Sequence, residues 1–197
     1  TSLASDADYM SAALASQVMS LGGLGGFNRI DLGKRLAGKA AAVSPSIGET
    51  TEGLSGRSSP KDIETMFQLA YLEFTAPRLD TVVFTTFRGQ AATILANRGL
   101  SPDAVFQDTI QVTLAQHAFR ARPLTTQVFD EVNAQKALTF YKDRFANAGD
   151  FTFVLVGNVD TVAVKPLVET YLASLPNTGR VEKAKDNGIT APKGVVQ

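Results

Sequence analysis

Residues 150–176, DFTFVLVGNVDTVAVKPLVETYLASLP, constrain the fold of this chain more than any other stretch. Phe151 to Val156 is an apolar run rich in β-branched and aromatic side chains, short enough for a strand. It shows no clean alternation with polar residues, which predicts a central strand buried on both faces. Gly157 and Asn158 break the run, and Asp160 is placed to cap a helix. That helix carries Val164, Leu167, Val168, Tyr171 and Leu172 along one stripe, and Pro176 stops it. Upstream, Asn133 opens another helix in which Phe140, Tyr141, Arg144 and Phe145 recur at helical spacing. The unit reads as helix, central strand, tight turn, helix. Nothing in it is catalytic by residue type.

The remainder supplies mostly helices. Asp6 or Asp8 caps a first helix running to about Leu21, with Met10, Leu14, Val18 and Leu21 on one face. The glycine-rich loop Gly22-Gly23-Leu24-Gly25-Gly26 then follows a helix, whereas a dinucleotide-binding loop follows a strand and opens a helix. A helix terminus with a connector is therefore the reading for these glycines. Arg29 to Ala37 forms a short helix ended by Gly38. Lys39 to Ile47 and Thr51 to Ser58 read as two strands around Gly48-Glu49-Thr50, and Pro45 makes the first an edge strand or a bulged one. Ser59-Pro60-Lys61-Asp62 is a helix start, with Ser59 as cap and Asp62 completing a capping box. The helix it opens carries Ile63, Met66, Phe67, Ala70, Tyr71 and Phe74 and ends at Pro77. Helices follow from Asp80 through Asn97, from Ser101 to about Gln116, and around Thr126 to Glu131. Residues 1–176 read as one domain, and 177–197, rich in charge, glycine and proline, as a linker whose last residues begin a strand of a following domain.

Composition excludes several function classes. Nineteen basic and nineteen acidic residues balance, so neither nucleic acid nor an anionic membrane surface is electrostatically favoured. No apolar run approaches the roughly 20 residues that cross a bilayer. With no cysteine, disulfides and thiolate chemistry are absent. His117 is the one histidine, near a helix end beside Arg120 and Arg122, where a C-terminal cation is a better reading than a general base. Gly53-Leu54-Ser55-Gly56-Arg57 imitates a nucleophile elbow for four positions, then offers arginine where glycine is required. Asp130 and Glu131 are adjacent on a helix and point different ways. The phenylalanines and tyrosines at helical spacing read as core rather than as a stacking platform.

One stretch has the composition of a peptide contact. AAAVSPSIGETTEGLSGR, within the strand pair from Lys39 to Ser58, is small and polar, which leaves main-chain groups accessible for β-addition of an extended peptide. Ser44, Ser46 and Arg57 are the candidate contacts. An ordinary edge strand protected by Pro45 is the competing explanation.

The string KALTFYKDRFANAGDFTFVLVGNVDTVAVKPLVETYLASLP resembles the late signature of the pitrilysin/insulinase (peptidase M16) zinc-metallopeptidase family: an FY-helix, a strand ending in VGN or VGD, and a helix ending in YLxSLP. The similarity extends back through GLSG, VSPSIGET and LAGK to the first helix, and looks most like the third of four related domains in long bacterial members. The resemblance implies an α+β fold, a mixed or antiparallel sheet covered by helices. It also implies strands preceding the first helix, so the domain is expected to be truncated at its N-terminus.

Catalytic domains of that family carry His-x-x-Glu-His on their first long helix, where two histidines bind zinc and the glutamate activates water. The matching helix here places Ala13, Ser16 and Gln17 at those positions, within one residue. The expectation is a non-catalytic domain, inactive alone, with zinc held in the catalytic domain of the parent. Its role would be chamber wall, peptide contact and interdomain packing in a metalloendopeptidase; the alternative is a purely structural assembly module akin to non-catalytic core subunits related to mitochondrial processing peptidase. Expected partners are the other domains of the parent chain, peptide substrate and a possible homodimer, with no nucleic acid and no membrane. The resemblance implies a soluble, periplasmic protein.

Overall fold

The computed structural model describes residues 1–194, a helix-rich α+β body with one small antiparallel sheet. The first helix forms as two pieces, α1 (Tyr9–Ala13) and α2 (Ala15–Gly22), because Leu14 leaves helical geometry at φ −101° and ψ 7°. Neither Asp6 nor Asp8 makes the anticipated cap bond; the Asp8 carboxylate instead accepts from Ser5 and Lys136. The glycines after α2 are set by close packing. A Cβ on Gly22 would lie 1.9 Å from the Arg78 carbonyl oxygen, and Gly23 sits at φ +90° with Phe27 oxygen 2.2 Å from where its Cβ would be. Only glycine fits there.

Helix α3 (Arg29–Arg35) is capped by Asn28, whose side chain accepts from the Asp31 N–H. Strands β1 (Ala41–Ile47) and β2 (Glu52–Ser58) form an antiparallel hairpin in which Val43 faces Gly56, Pro45 faces Leu54 and Ile47 faces Glu52. Pro45 falls where its missing N–H costs no bond. The Ser59 N–H donates to Ala40 and the Gly48 N–H to Thr51, so ladder bonds fall at Ala42–Arg57, Ser44–Ser55 and Ser46–Gly53. The inner face lies on α4 (Ile63–Thr75), with Gly56 against the Met66 thioether. The turn into α4 is held by buried Asp62, which accepts from the Ala40 N–H and the Ser59 hydroxyl. Those two bonds hold its carboxyl below the usual carboxylate range.

Helices α5 (Thr81–Arg98), α6 (Pro102–Leu114) and α7 (Thr126–Asp130) start on Asp80, Ser101 and Thr125, whose side chains each accept a first-turn N–H. Helix α8 (Ala134–Arg144) opens on Asn133 as expected and runs through the centre, packed on α1 and α2. Its Ala137 and Tyr141, with Phe145 just beyond its end, are fully buried. Val18 and Met19 of α2 and Phe74 of α4 complete this core. Helix α9 (Thr161–Leu167) is capped by Asp160 and passes into a π-turn over Val168–Leu172. The stripe from Val164 to Leu172 faces inward, as its spacing requires.

The largest departure concerns 151–156. These residues pair with no strand, and Val154 and Val156 are 77% and 92% exposed. Phe151 does reach the core, with its ring centroid 4.9 Å from that of Phe74. The expected central strand buried on both faces is therefore not found among the described residues: Phe151 packs on the core while Val154 and Val156 face water. Residues 177–194 contain no helix or strand, yet they lie against the body. Glu182 holds Arg144 at 2.7 Å, Arg180 holds Asp143 at 2.8 Å, and Asn187 reaches Glu49 at 2.9 Å. The strand expected to begin in GVVQ, 194–197, lies outside the described residues beyond Gly194.

Candidate functional site

The register of the hairpin brings the three peptide-contact candidates onto one face. Ser44 faces Ser55, Ser46 faces Gly53, and Arg57 faces Ala42, so all three side chains project from the side opposite α4. Each is exposed. The Ser46 hydroxyl donates weakly to the Gly53 carbonyl at 3.3 Å. This face is small, polar and flat, with a single cation at one corner. It can hold a backbone, but it contains no nucleophile with a base and no ligand cluster.

The positions matching the zinc motif lie where α1 breaks into α2. Ala13 ends α1, Gln17 is exposed on α2, and the Ser16 hydroxyl is buried without a hydrogen-bond partner. None has a side chain that ligates zinc or activates water at neutral pH. His117 is far from that helix in sequence and sits exposed at φ +58°, its N–H closing the end of α6 onto the Val112 carbonyl. That is the C-terminal turn geometry its position suggested.

A feature the sequence did not single out is a groove of about 810 Å3 along β2. Ile63, Met66, Phe67 and Ala70 of α4 form its floor, β2 one wall and 151–159 the other. Glu52 and Asp150 close one end, and burial pushes the Glu52 carboxyl above its ordinary range. Arg57 belongs to the groove as well, whereas Ser44 and Ser46 do not line it. No motif in the sequence anticipates this groove, which forms between elements distant in the chain.

The fold is a helix-rich α+β domain with one small antiparallel hairpin. Residues 131–196 match the family model described as the peptidase M16 inactive domain. The chain is 27% identical over 146 residues to the zinc protease PQQL-like of Arabidopsis thaliana, covering 68% of this chain and 15% of that protein. It is 23% identical over 183 residues to the probable zinc protease PqqL of Haemophilus influenzae, covering 88% and 19% respectively. The crystal structure of the periplasmic protease PqqL from Escherichia coli shares the fold, with a TM-score of 0.78 at 21% identity over 96% of this chain and 21% of that one. The ferredoxin protease FusC in complex with Arabidopsis ferredoxin shares it with a TM-score of 0.72 at 19% identity, over 94% of this chain and 21% of that one. The part of the chain from 131 to 196 is thus similar to the inactive domain of peptidase M16, and the chain spans about a fifth or less of the length of these relatives.

Proposed function

We propose that this chain is a non-catalytic domain of a zinc-dependent endopeptidase, in which it forms chamber wall and interdomain contact while the metal is held elsewhere in the parent. The observation that carries this reading is the match of residues 131–196 to the inactive domain of the family. The side chains at the zinc-motif positions, Ala13, Ser16 and Gln17, agree with it. In this reading the outward face of the hairpin, with Ser44, Ser46 and Arg57, meets the substrate backbone. An extended peptide of varied sequence would add to the strand edge through main-chain hydrogen bonds, with these small polar side chains leaving room beside it. Periplasmic placement follows by analogy with the Escherichia coli protein, which is described as a periplasmic protease. No helix of the described residues is long and apolar enough to cross a membrane.

The parent polypeptide provides the test. Replacing Ser44, Ser46 and Arg57 together by bulky or reversed-charge residues should raise KM for peptides and leave bound zinc and kcat unchanged. An unchanged KM would remove the peptide contact and leave the wall role. A second reading, a purely structural assembly module, is favoured by a different observation. Val82, Ile94, Leu100 and Phe106 on α5, α6 and their junction are 74%, 68%, 80% and 61% exposed, large apolar side chains that an assembly contact would cover.

A further inference from the structure

Residues 177–190 are held to the body by two unequal sets of bonds. The inner half is anchored on buried groups. The Asn147 side chain accepts from the Thr178 N–H at 2.9 Å and donates to the Arg180 carbonyl at 2.9 Å, and Glu182 meets the Arg144 guanidinium at 2.7 Å. The outer half rests on single contacts: the Lys185 N–H donates to the Ser2 hydroxyl at 3.1 Å, the Asn187 amide to the Glu49 carboxylate at 2.9 Å, and the Gln116 amide to the Thr190 carbonyl at 3.0 Å. Asn187 is also the one asparagine of the sequence followed by glycine; every other precedes Arg, Ala, Val or Thr. Gly188 has no Cβ to hinder its nitrogen, stands exposed at φ +69°, and its N–H is polarised by the Asp186 carboxylate at 2.8 Å. The Asn187 carboxamide carbon therefore neighbours an unhindered backbone nucleophile, in a segment with no helix or strand to hold the two apart.

We infer that Asn187 is a deamidation site whose product releases the outer half of this strap from the hairpin turn. The Gly188 nitrogen bonds to the Asn187 Cγ, the Cγ–Nδ2 bond breaks, and Nδ2 leaves as ammonia with the proton that Gly188 gives up. Water then opens the cyclic imide at either carbonyl, leaving aspartate or isoaspartate. The sum is one water consumed and one ammonia released, with no oxidant, reductant or second protein. A neutral donor becomes a carboxylate, which only accepts. The bond from residue 187 to Glu49 is lost, and two negative charges face each other in its place. Arg120 lies 3.7 Å from the same Glu49 oxygen, but it also holds Asp6 at 2.8 Å, so its single charge is already shared. The bonds of Thr178, Arg180 and Glu182 to Asn147, Asp143 and Arg144 are untouched, so the release stops short of Glu182. The site is independent of any peptidase role of the domain.

Peptide mapping by mass spectrometry follows the folded protein as it ages at neutral pH. Asn187 should gain about one dalton at least about 10-fold faster than any other asparagine, divided between aspartate and isoaspartate. Asn187→Asp introduces the charge directly. At low salt its Lys185 amide should exchange at least about 10-fold faster than in the wild type. The Thr178 amide, held by Asn147, should keep its protection and so verify folding. Adding Glu49→Gln to Asn187→Asp should return Lys185 exchange to within about 2-fold of the wild type. If the double variant does not fold, aged wild-type protein gives the same comparison at Lys185. A gain at Asn187 no faster than at the other asparagines would overturn the site. Lys185 exchange unchanged by Asn187→Asp, or equally fast once Glu49→Gln is added, would overturn the release.

Discussion

The Tyr141 hydroxyl donates to the Glu73 carboxylate at 2.8 Å in the centre of the core, tying α8 to α4. Burial pushes the Glu73 carboxyl up to about 7, against the pull of the Tyr141 bond in the other direction, and burial likewise raises the Tyr141 phenol. A carboxyl whose folded value lies above its unfolded one contributes stability that is fully present below about 4.5 and is lost as the pH rises through about 7. Glu73→Gln keeps an acceptor for Tyr141 and cannot ionise. Its stability relative to the wild type should therefore climb between pH 5 and pH 8, by roughly 3 kcal/mol at most. Urea denaturation of both proteins at several pH values measures it, and a difference flat across that window would show that Glu73 titrates normally.

Phe145 stacks on Tyr141 with ring centroids 4.5 Å apart, meets Phe74 edge-on at 5.2 Å, and is wholly buried. Phe145→Ala should cost about 3–5 kcal/mol. Val156→Ser, at a side chain 92% exposed, should leave the stability of the 197-residue chain within about 0.5 kcal/mol. In the parent the same substitution should cost more if the run from Phe151 is covered there. Thermal melts of both variants in both proteins give the comparison.

The glycines after α2 give a third contrast. Gly22→Ala would drive a methyl into the Arg78 carbonyl, whereas a Cβ on Gly26 would meet nothing within 4 Å. Gly22→Ala should lower the melting temperature by several degrees, since a buried backbone clash costs about 1–3 kcal/mol, and Gly26→Ala should shift it little. Inorganic phosphate should leave the wild-type melting temperature unchanged. Stabilisation by phosphate, lost in Gly26→Ala, would restore the ligand reading of this loop.

Much of this fold is written in local chemistry. Asp80, Ser101, Asn133 and Asp160 are read as helix starts from their type, and each accepts an N–H in the first turn it opens; Asn28 does the same without having been singled out. The hairpin is legible because Gly48-Glu49-Thr50 separates two strand-like runs and Pro45 allows only an outward position. Four features were not legible. The break at Leu14 leaves no mark in a continuous apolar stripe, because Leu14 is as good a helix former as its neighbours. The run from Phe151 to Val156 predicts a central strand buried on both faces, whereas the structure pairs it with no strand and leaves Val154 and Val156 in water; a sequence pattern states only that cover is favoured, not which residues supply it. Ser44, Ser46 and Arg57 are brought to one face by the register, a relation visible only once β1 and β2 are aligned. The groove depends on contacts between β2, α4 and 151–159, distant in sequence, and no motif signals it.

The most direct test of a non-catalytic role is a metal and cleavage assay on the chain itself, stripped with chelator and then loaded with zinc. With one histidine, no cysteine, and Ala13, Ser16 and Gln17 at the zinc-motif positions, the account predicts zinc well below one per chain and no cleavage of unstructured peptides. One tightly held zinc per chain, with peptide cleavage abolished by His117→Ala, would contradict it.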